Sequence, residues 1–146
     1  MEDLERHKQV LPQTVYRRCR HVVAENRRVL QACGALEAGA AEQFGRLMHE
    51  SHASLRDDYE VSCRELDLLV ELASSFDGVF GARMMGGGFG GCTINLVRAQ
   101  CAAAFQNNIS QAYFNKTGIA PEVSICELAQ GAEFWEIKGN NLETTP

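Results

Sequence analysis

The fold class is decided by one stretch, Val79-Phe-Gly-Ala-Arg-Met-Met-Gly-Gly-Gly-Phe-Gly-Gly-Cys-Thr-Ile-Asn-Leu-Val97. Residues 79–85 and 92–97 are rich in apolar and β-branched side chains, which predicts two strands. Between them, the run 86–91 contains five glycines in six positions. Strands that are joined by so short a loop pair antiparallel. The sequence therefore predicts a β-hairpin that is closed by a glycine loop.

Helical patterns precede and follow this hairpin. Apolar residues at helical spacing predict four helices, over 12–33, 40–49, 65–73 and 102–118. Gly34 is the predicted stop of the first helix, and Ser62 is a candidate cap for the third. A further strand over 122–128 and an edge segment within 131–137 are also predicted. This order predicts an α+β domain of two layers, with an antiparallel sheet covered on one face by helices.

The first predicted helix carries an amphipathic pattern. The apolar residues that recur there at helical spacing are Val15, Cys19, Val22, Val23, Val29, Leu30 and Cys33. The same segment carries Arg17, Arg18, Arg20, Arg27 and Arg28. These arginines indicate either an anion-binding helix or a solvated helix face.

Composition and charge limit the class of protein. The chain has 146 residues, a length that indicates one domain, over 1–138, followed by a polar tail over 139–146. Its net charge is −5. A negative chain is not typical of a nucleic-acid binder or a polybasic membrane-surface protein. No apolar run reaches the roughly 18 residues of a membrane span, and the first residues are charged. We therefore expect a cytoplasmic protein, whose six cysteines lack a C-x-x-C pair and are expected to be free, buried thiols.

The glycine loop is the feature that demands a chemical explanation. Glycine adopts positive φ and has no side chain, so backbone amides in such a loop can approach a ligand and form a nest for phosphate. Gly86, Gly88 and Gly91 match G-x-G-x-x-G, but a strand follows where a dinucleotide-binding fingerprint needs a helix. Gly91 is followed by Cys92, which excludes a Walker A loop. A loop that packs closely against another backbone remains the alternative.

Five other side chains are candidates for functional groups. Arg83 is a possible phosphate contact from the strand edge, or it pairs with an acidic neighbour. Asp57 and Asp58 are adjacent and diverge on a helix, so surface charge or capping is favoured over a Mg²⁺ site. His49 and His52 share a helical face without the H-E-x-x-H pattern, and no metal site is predicted. No residue of this chain is predicted to be catalytic.

The hairpin and its surroundings resemble the GHMP small-molecule kinase family, in its galactokinase form. Gly81-Ala-Arg-Met-Met-Gly-Gly-Gly-Phe-Gly-Gly-Cys-Thr93 is similar to the family's third signature motif. The resemblance covers about 16–132 and includes the segments Arg17–Asn26, Ser51–Asp67, Thr117-Gly118 and Gly131-Ala132. In two places the chain departs from the pattern: Met85 stands where many members have threonine, and Arg64 where many have proline.

The resemblance implies a fold, a reaction and a division of labour. The fold is a ferredoxin-like α+β sandwich, and the reaction is transfer of the γ-phosphoryl group of MgATP to the anomeric hydroxyl of galactose. The family's first and second motifs, its catalytic aspartate and the supporting arginine are absent from this sequence. The implied site is therefore Gly86, Gly87, Gly88, Phe89, Gly90 and Gly91, as one wall of a cleft that the missing N-terminal kinase domain completes. The chain is expected to be inactive alone, and dimerisation of the isolated domain is a further expectation. A non-catalytic sugar- or nucleotide-binding regulator and an independent interaction domain are the alternatives.

Overall fold

The structure is a computed structural model that describes residues 1–127, 135–138 and 141–144. Its helices are α1 (Glu2–Arg6), α2 (Gln13–Glu37), α3 (Ala41–Ser54), a π-helical turn (Leu55–Tyr59), α4 (Arg64–Ser74), a 3-10 turn (Ala99–Cys101) and α5 (Ala102–Thr117). Its strands are β1 (Val79–Met85), β2 (Cys92–Val97), β3 (Trp135–Lys138) and β4 (Asn141–Thr144). No helix among the described residues is long and apolar enough to cross a bilayer. The predicted α+β class is confirmed.

The central hairpin forms as predicted, with the predicted strand bounds. β1 and β2 pair antiparallel, and Met85 lies opposite Cys92, so the ladder ends where the glycine loop begins. Near the other end of β1, a bulge interrupts the register between Val79 and Gly81. Strands β3 and β4 pair antiparallel as a separate two-stranded sheet. The loop 86–91 is therefore the tip of the main hairpin.

Two apolar clusters fix the hairpin on the helices. The first joins α4, β1 and α5, and consists of Val70, Ala73, Ala82, Phe105 and Ile109. The second joins the π-helical turn, α4 and β1 through Leu55, Leu66 and Met84. Because Met84 is fully buried two residues before the loop, the second cluster fixes the strand where the loop leaves it.

Backbone contact between α3 and β1 brings helix and hairpin unusually close. A Cβ atom on Gly45 would lie 1.9 Å from the carbonyl oxygen of Phe80, and one on Gly81 would lie 2.5 Å from the Cα atom of Gly45. No side chain fits at such distances. The two glycines therefore fix the separation of α3 and β1.

The helix predictions were correct in kind, with errors at their ends. Gly34 does not stop the first helix, because α2 continues to Glu37. Ser62 does not cap α4, because Cys63 is the N-cap residue and the Ser62 hydroxyl donates to Asp67 instead. Arg64, at the position where relatives often have proline, is the first residue of α4, where proline is also favoured.

Two further predictions were wrong. Residues 122–127 form no strand; the Gln106 side-chain amide donates to the Val123 carbonyl oxygen, so a helix supplies a partner where a strand was expected. The six cysteines are free as predicted, but none is buried, and Cys33, Cys92 and Cys126 are exposed. The remainder of the edge-segment and tail predictions lies outside the described residues, apart from β3 and β4.

Candidate functional site

The glycine loop adopts a backbone that only glycine tolerates easily. Gly86, Gly88, Gly90 and Gly91 all have φ between 79° and 131°. Phe89 also has a positive φ, of 60°, which is uncommon for a residue with a side chain, and its ring is 78% exposed. Backbone strain of this kind is typical of ligand-binding turns. The ligand-facing role of the loop stays a prediction, with which this conformation is compatible.

The loop offers free hydrogen-bond donors. Among the described residues, none of the five glycine amides of 86–91 donates to a protein acceptor. Added Cβ atoms on Gly86, Gly87, Gly90 and Gly91 would meet nothing within 4 Å, so those four positions border open space. Successive amides that face open space are the arrangement that binds phosphate oxygens.

Gly88 is different, because it anchors the loop. A Cβ atom there would lie 2.1 Å from the carbonyl oxygen of Val61, and the neighbouring Phe89 amide donates to that same oxygen at 2.7 Å. Close packing of the loop, the alternative reading of the glycines, is therefore correct for this one position. This contact fixes the distance between the loop and the segment that joins the π-helical turn to α4.

A buried histidine holds the strand beside this anchor. The Nδ1 atom of His52 accepts a hydrogen bond from the Met84 amide at 3.3 Å, and its Nε2 atom lies 3.2 Å from Asp67 Oδ1. This arrangement assigns the ring proton to Nε2, facing the carboxylate. Asp67 also accepts a hydrogen bond from the Ser62 hydroxyl at 2.5 Å. No local sequence pattern predicts this contact, because its four residues, His52, Met84, Asp67 and Ser62, come from separate segments of the chain.

Arg83 lies on β1 directly before buried Met84, and its side chain faces Glu25 of α2. Its NH1 atom is 3.9 Å from Glu25 Oε2, and its Nε donates to the Met84 carbonyl oxygen at 2.9 Å. Burial lowers the pKa of Arg83, and the positive charge of Arg28 lowers it further. The acidic neighbour that was one of the two predicted partners is therefore present, and contact with a phosphate stays a prediction.

The arginines of α2 bind carboxylates of the protein itself. Arg20 forms a two-pronged ion pair with Asp58, which is buried, and Arg17 and Arg18 both pair with Glu60. The arginine side chains remain 30–45% exposed, so this face is solvated as predicted and is paired as well, with carboxylates in and directly after the π-helical turn. Exposed Asp57 pairs with Arg56. The adjacent aspartates diverge as predicted, and each has an arginine partner.

Neither of two open concavities of the described chain includes the glycine loop. They are lined by residues around Asp77 and around Asp67. Within the described residues, no group of three or more His, Cys, Asp or Glu side chains is placed to hold a metal ion. The glycine amides that lack a protein acceptor can donate to an anion.

Stability is expected to fall with acidification between pH 7 and pH 5. Burial lowers the pKa values of His52 and His21 below their usual value of about 6.5. The unfolded chain then binds more protons than the folded chain as the pH drops through this range, so protonation favours unfolding. Urea unfolding at several pH values measures the slope.

The matched variants for this pH experiment are His52→Asn and His7→Gln. His52→Asn keeps an acceptor for the Met84 amide while removing the titrating ring, so a shallower pH dependence is expected. His7→Gln changes an exposed residue and should leave the slope as it is. An unchanged slope in His52→Asn would contradict this account.

The α+β domain with a glycine loop at the tip of its hairpin matches a class of small-molecule kinases. The family model described as GHMP kinases C terminal matches residues 32–116, which is more than half of the chain. The chain belongs to the GHMP kinase family, of which it forms the C-terminal domain.

Its relatives are galactokinases. The chain is 48% identical to the galactokinase of Roseiflexus sp. (strain RS-1) over 89% of its own length and 33% of that protein. It is 53% identical to the Homo sapiens galactokinase over 77% of the chain and 29% of the human enzyme. A crystal structure of the Lactococcus lactis galactokinase complexed with galactose superposes with a TM-score of 0.77 at 43% identity, covering 82% of this chain and 31% of that one. The chain thus spans about a third of the length of the relatives it matches.

Proposed function

We propose that this chain works as the C-terminal domain of a galactokinase, an enzyme that transfers the γ-phosphoryl group of ATP to the anomeric hydroxyl of galactose. The observation that carries the proposal is that, among the described residues, the five glycine amides of the loop have no protein acceptor, in a chain that is about half identical to named galactokinases. The relatives are three times longer, so the reaction belongs to the assembled protein.

The role of this domain would be positioning and electrostatics. Phosphoryl transfer depends on alignment of the reacting groups and on stabilisation of charge on the transferred phosphoryl oxygens. The amides of the loop are fixed dipoles, and donors that are already oriented cost little reorganisation when charge develops. When bound, Mg²⁺ would neutralise phosphate charge, held by substrate phosphates and by one or two carboxylates of the assembled protein.

The anchoring groups would act indirectly on the same chemistry. Val61 holds the loop through the Phe89 amide, and His52 holds the strand through the Met84 amide. Neither side chain borders the open space of the loop, so both are positioning groups. A cytoplasmic location and dimerisation of the isolated chain stay predictions.

A turnover assay of the purified chain tests this division of labour. With galactose and MgATP, no galactose 1-phosphate is expected from this chain, whereas the human galactokinase under the same conditions supplies the positive control. Calorimetric titration with MgATP and with galactose should show no saturable heat, because one wall does not enclose either ligand. Product formation by the chain alone would overturn the proposal, and saturable binding without turnover would favour a regulator.

A further inference from the structure

The long helix α2 carries an apolar stripe that nothing in the described structure covers. Val15, Val22, Val29 and Leu36 are spaced by seven residues and are 44–61% exposed. Cys19, Asn26 and Cys33 lie between them, at alternating steps of four and three along the helix. We call these seven residues the α2 stripe. Apolar residues at this spacing form a seam against which a second helix packs.

The other side of α2 is already occupied. His21 and Ala35 are buried, and Arg28 pairs with Glu25 and Glu50 toward α3. A helix that needed only this contact would present polar residues to water on its outer side. Instead, α2 contacts α3 on its inner side and also presents exposed valines and a leucine on its outer side, which is the pattern of a helix that lies between two layers.

Most of α2 also precedes the unit that the family model defines. The match to the GHMP C-terminal model begins at residue 32, whereas α2 begins at Gln13. The match to the Roseiflexus galactokinase covers 130 of the 146 residues, so it necessarily includes most of α2. About two-thirds of that relative has no counterpart in this chain. The polypeptide available to cover the stripe is therefore the part of a galactokinase that lies outside the match.

We propose that the α2 stripe is a docking surface for an apolar helix from the remaining two-thirds of a galactokinase polypeptide. The inference rests on the proposed function and adds to it the surface through which the two parts assemble. In the assembled protein, α2 would lie between this domain and the rest of the polypeptide. The stripe would therefore be buried in the assembled protein and exposed in the isolated chain.

The test uses the variant Val22→Asp/Val29→Asp in two settings. In the isolated chain both positions are exposed, so the melting temperature should stay within about 2 °C of the unchanged chain. In a chimera that carries this chain in place of the matched third of the Roseiflexus galactokinase, the same variant should lower the melting temperature by on the order of 10 °C, because two carboxylates would be buried. Gln31→Asp is the matched control, since Gln31 is exposed on α2 but lies off the stripe.

Each outcome bears on the proposal. Equal melting temperatures for the chimera with and without the double change would overturn it, as would a chimera that shows no cooperative transition with the stripe intact. The oligomeric state of the isolated chain, measured by sedimentation, tests whether a second copy covers the stripe. If the chain is a dimer that Val22→Asp/Val29→Asp converts to monomer, then a second copy covers the stripe and the assignment to a galactokinase segment is wrong. Kinase activity does not enter these readouts, so failure of the proposed function would be seen separately.

Discussion

Gly45→Ala is expected to lower the free energy of unfolding by about 3 kcal/mol or more, since the methyl group cannot be placed without moving backbone. The new Cβ atom would lie 1.9 Å from the Phe80 carbonyl oxygen and 3.0 Å from the Gly81 nitrogen. Neither atom belongs to a side chain that could rotate away. Relief therefore requires α3 to move off β1, which disturbs the strand that carries the glycine loop.

Gly34→Ala is the control for this first prediction. Gly34 is also inside a helix, but an added Cβ atom there meets nothing within 4 Å. Replacing glycine by alanine at an open helical position stabilises by about 0.5–1 kcal/mol, because glycine loses more backbone entropy on folding. Urea unfolding followed by circular dichroism should therefore give opposite signs for the two variants. Equal changes in stability would show that α3 and β1 are not in backbone contact.

Gly88→Ala is the second substitution with a large expected effect, and it acts on the loop. At φ +83°, alanine costs roughly 1–2 kcal/mol in backbone strain alone. Its methyl group would also lie 2.1 Å from the Val61 oxygen, so the loop would lose the hydrogen bond from the Phe89 amide. In the assembled galactokinase, a loop that is displaced by about 1 Å is expected to lower turnover by about a hundredfold.

Gly87→Ala separates the fold of the loop from its function. Gly87 does not have a positive φ, and its added Cβ atom would enter open space. Stability should therefore be unchanged within about 0.5 kcal/mol. If ligand oxygens approach this side of the loop, the methyl group should still lower turnover of the assembled enzyme. A Gly88→Ala protein that is as stable as Gly87→Ala would contradict the anchor at Val61.

The central hairpin was predictable because local sequence dictates it. The strands 79–85 and 92–97 follow from apolar, β-branched runs on either side of a glycine-rich turn, and their observed bounds agree with the prediction. The cores of α3 and α4 follow from helical spacing, as the burial of Leu47, Leu66 and Val70 shows. In such segments, propensity, periodicity and burial agree.

The rest depends on tertiary contacts that no local pattern encodes. Gly34 is a typical signal for the end of a helix. The helix α2 nevertheless continues past it, and the next residue, Ala35, is buried. Val61 anchors the loop through its backbone carbonyl oxygen, so the identity of its side chain does not predict the contact. The partners of Arg18 and Arg20 lie about forty residues along the chain. Pairings of this kind appear only when the fold brings the segments together.

The loop glycines have two different environments in the structure. Gly88 packs against the backbone of Val61, while Gly86, Gly87, Gly90 and Gly91 border open space. Composition alone cannot divide the glycines in this way, because each contributes the same residue type to the same loop. The division follows from where the loop crosses the segment before α4, which is a property of the fold.

Galactose-dependent turnover of the chimera tests the central claim most directly, because it asks whether this chain can serve as the missing third of a galactokinase. With this chain in place of the matched third of the Roseiflexus enzyme, we expect galactose 1-phosphate to form from galactose and MgATP. The rate should lie within about tenfold of the parent enzyme, which corresponds to about 1.4 kcal/mol in the barrier. A chimera that folds cooperatively, binds both substrates and forms no product would contradict the claim that the chain supplies a working wall of the kinase cleft.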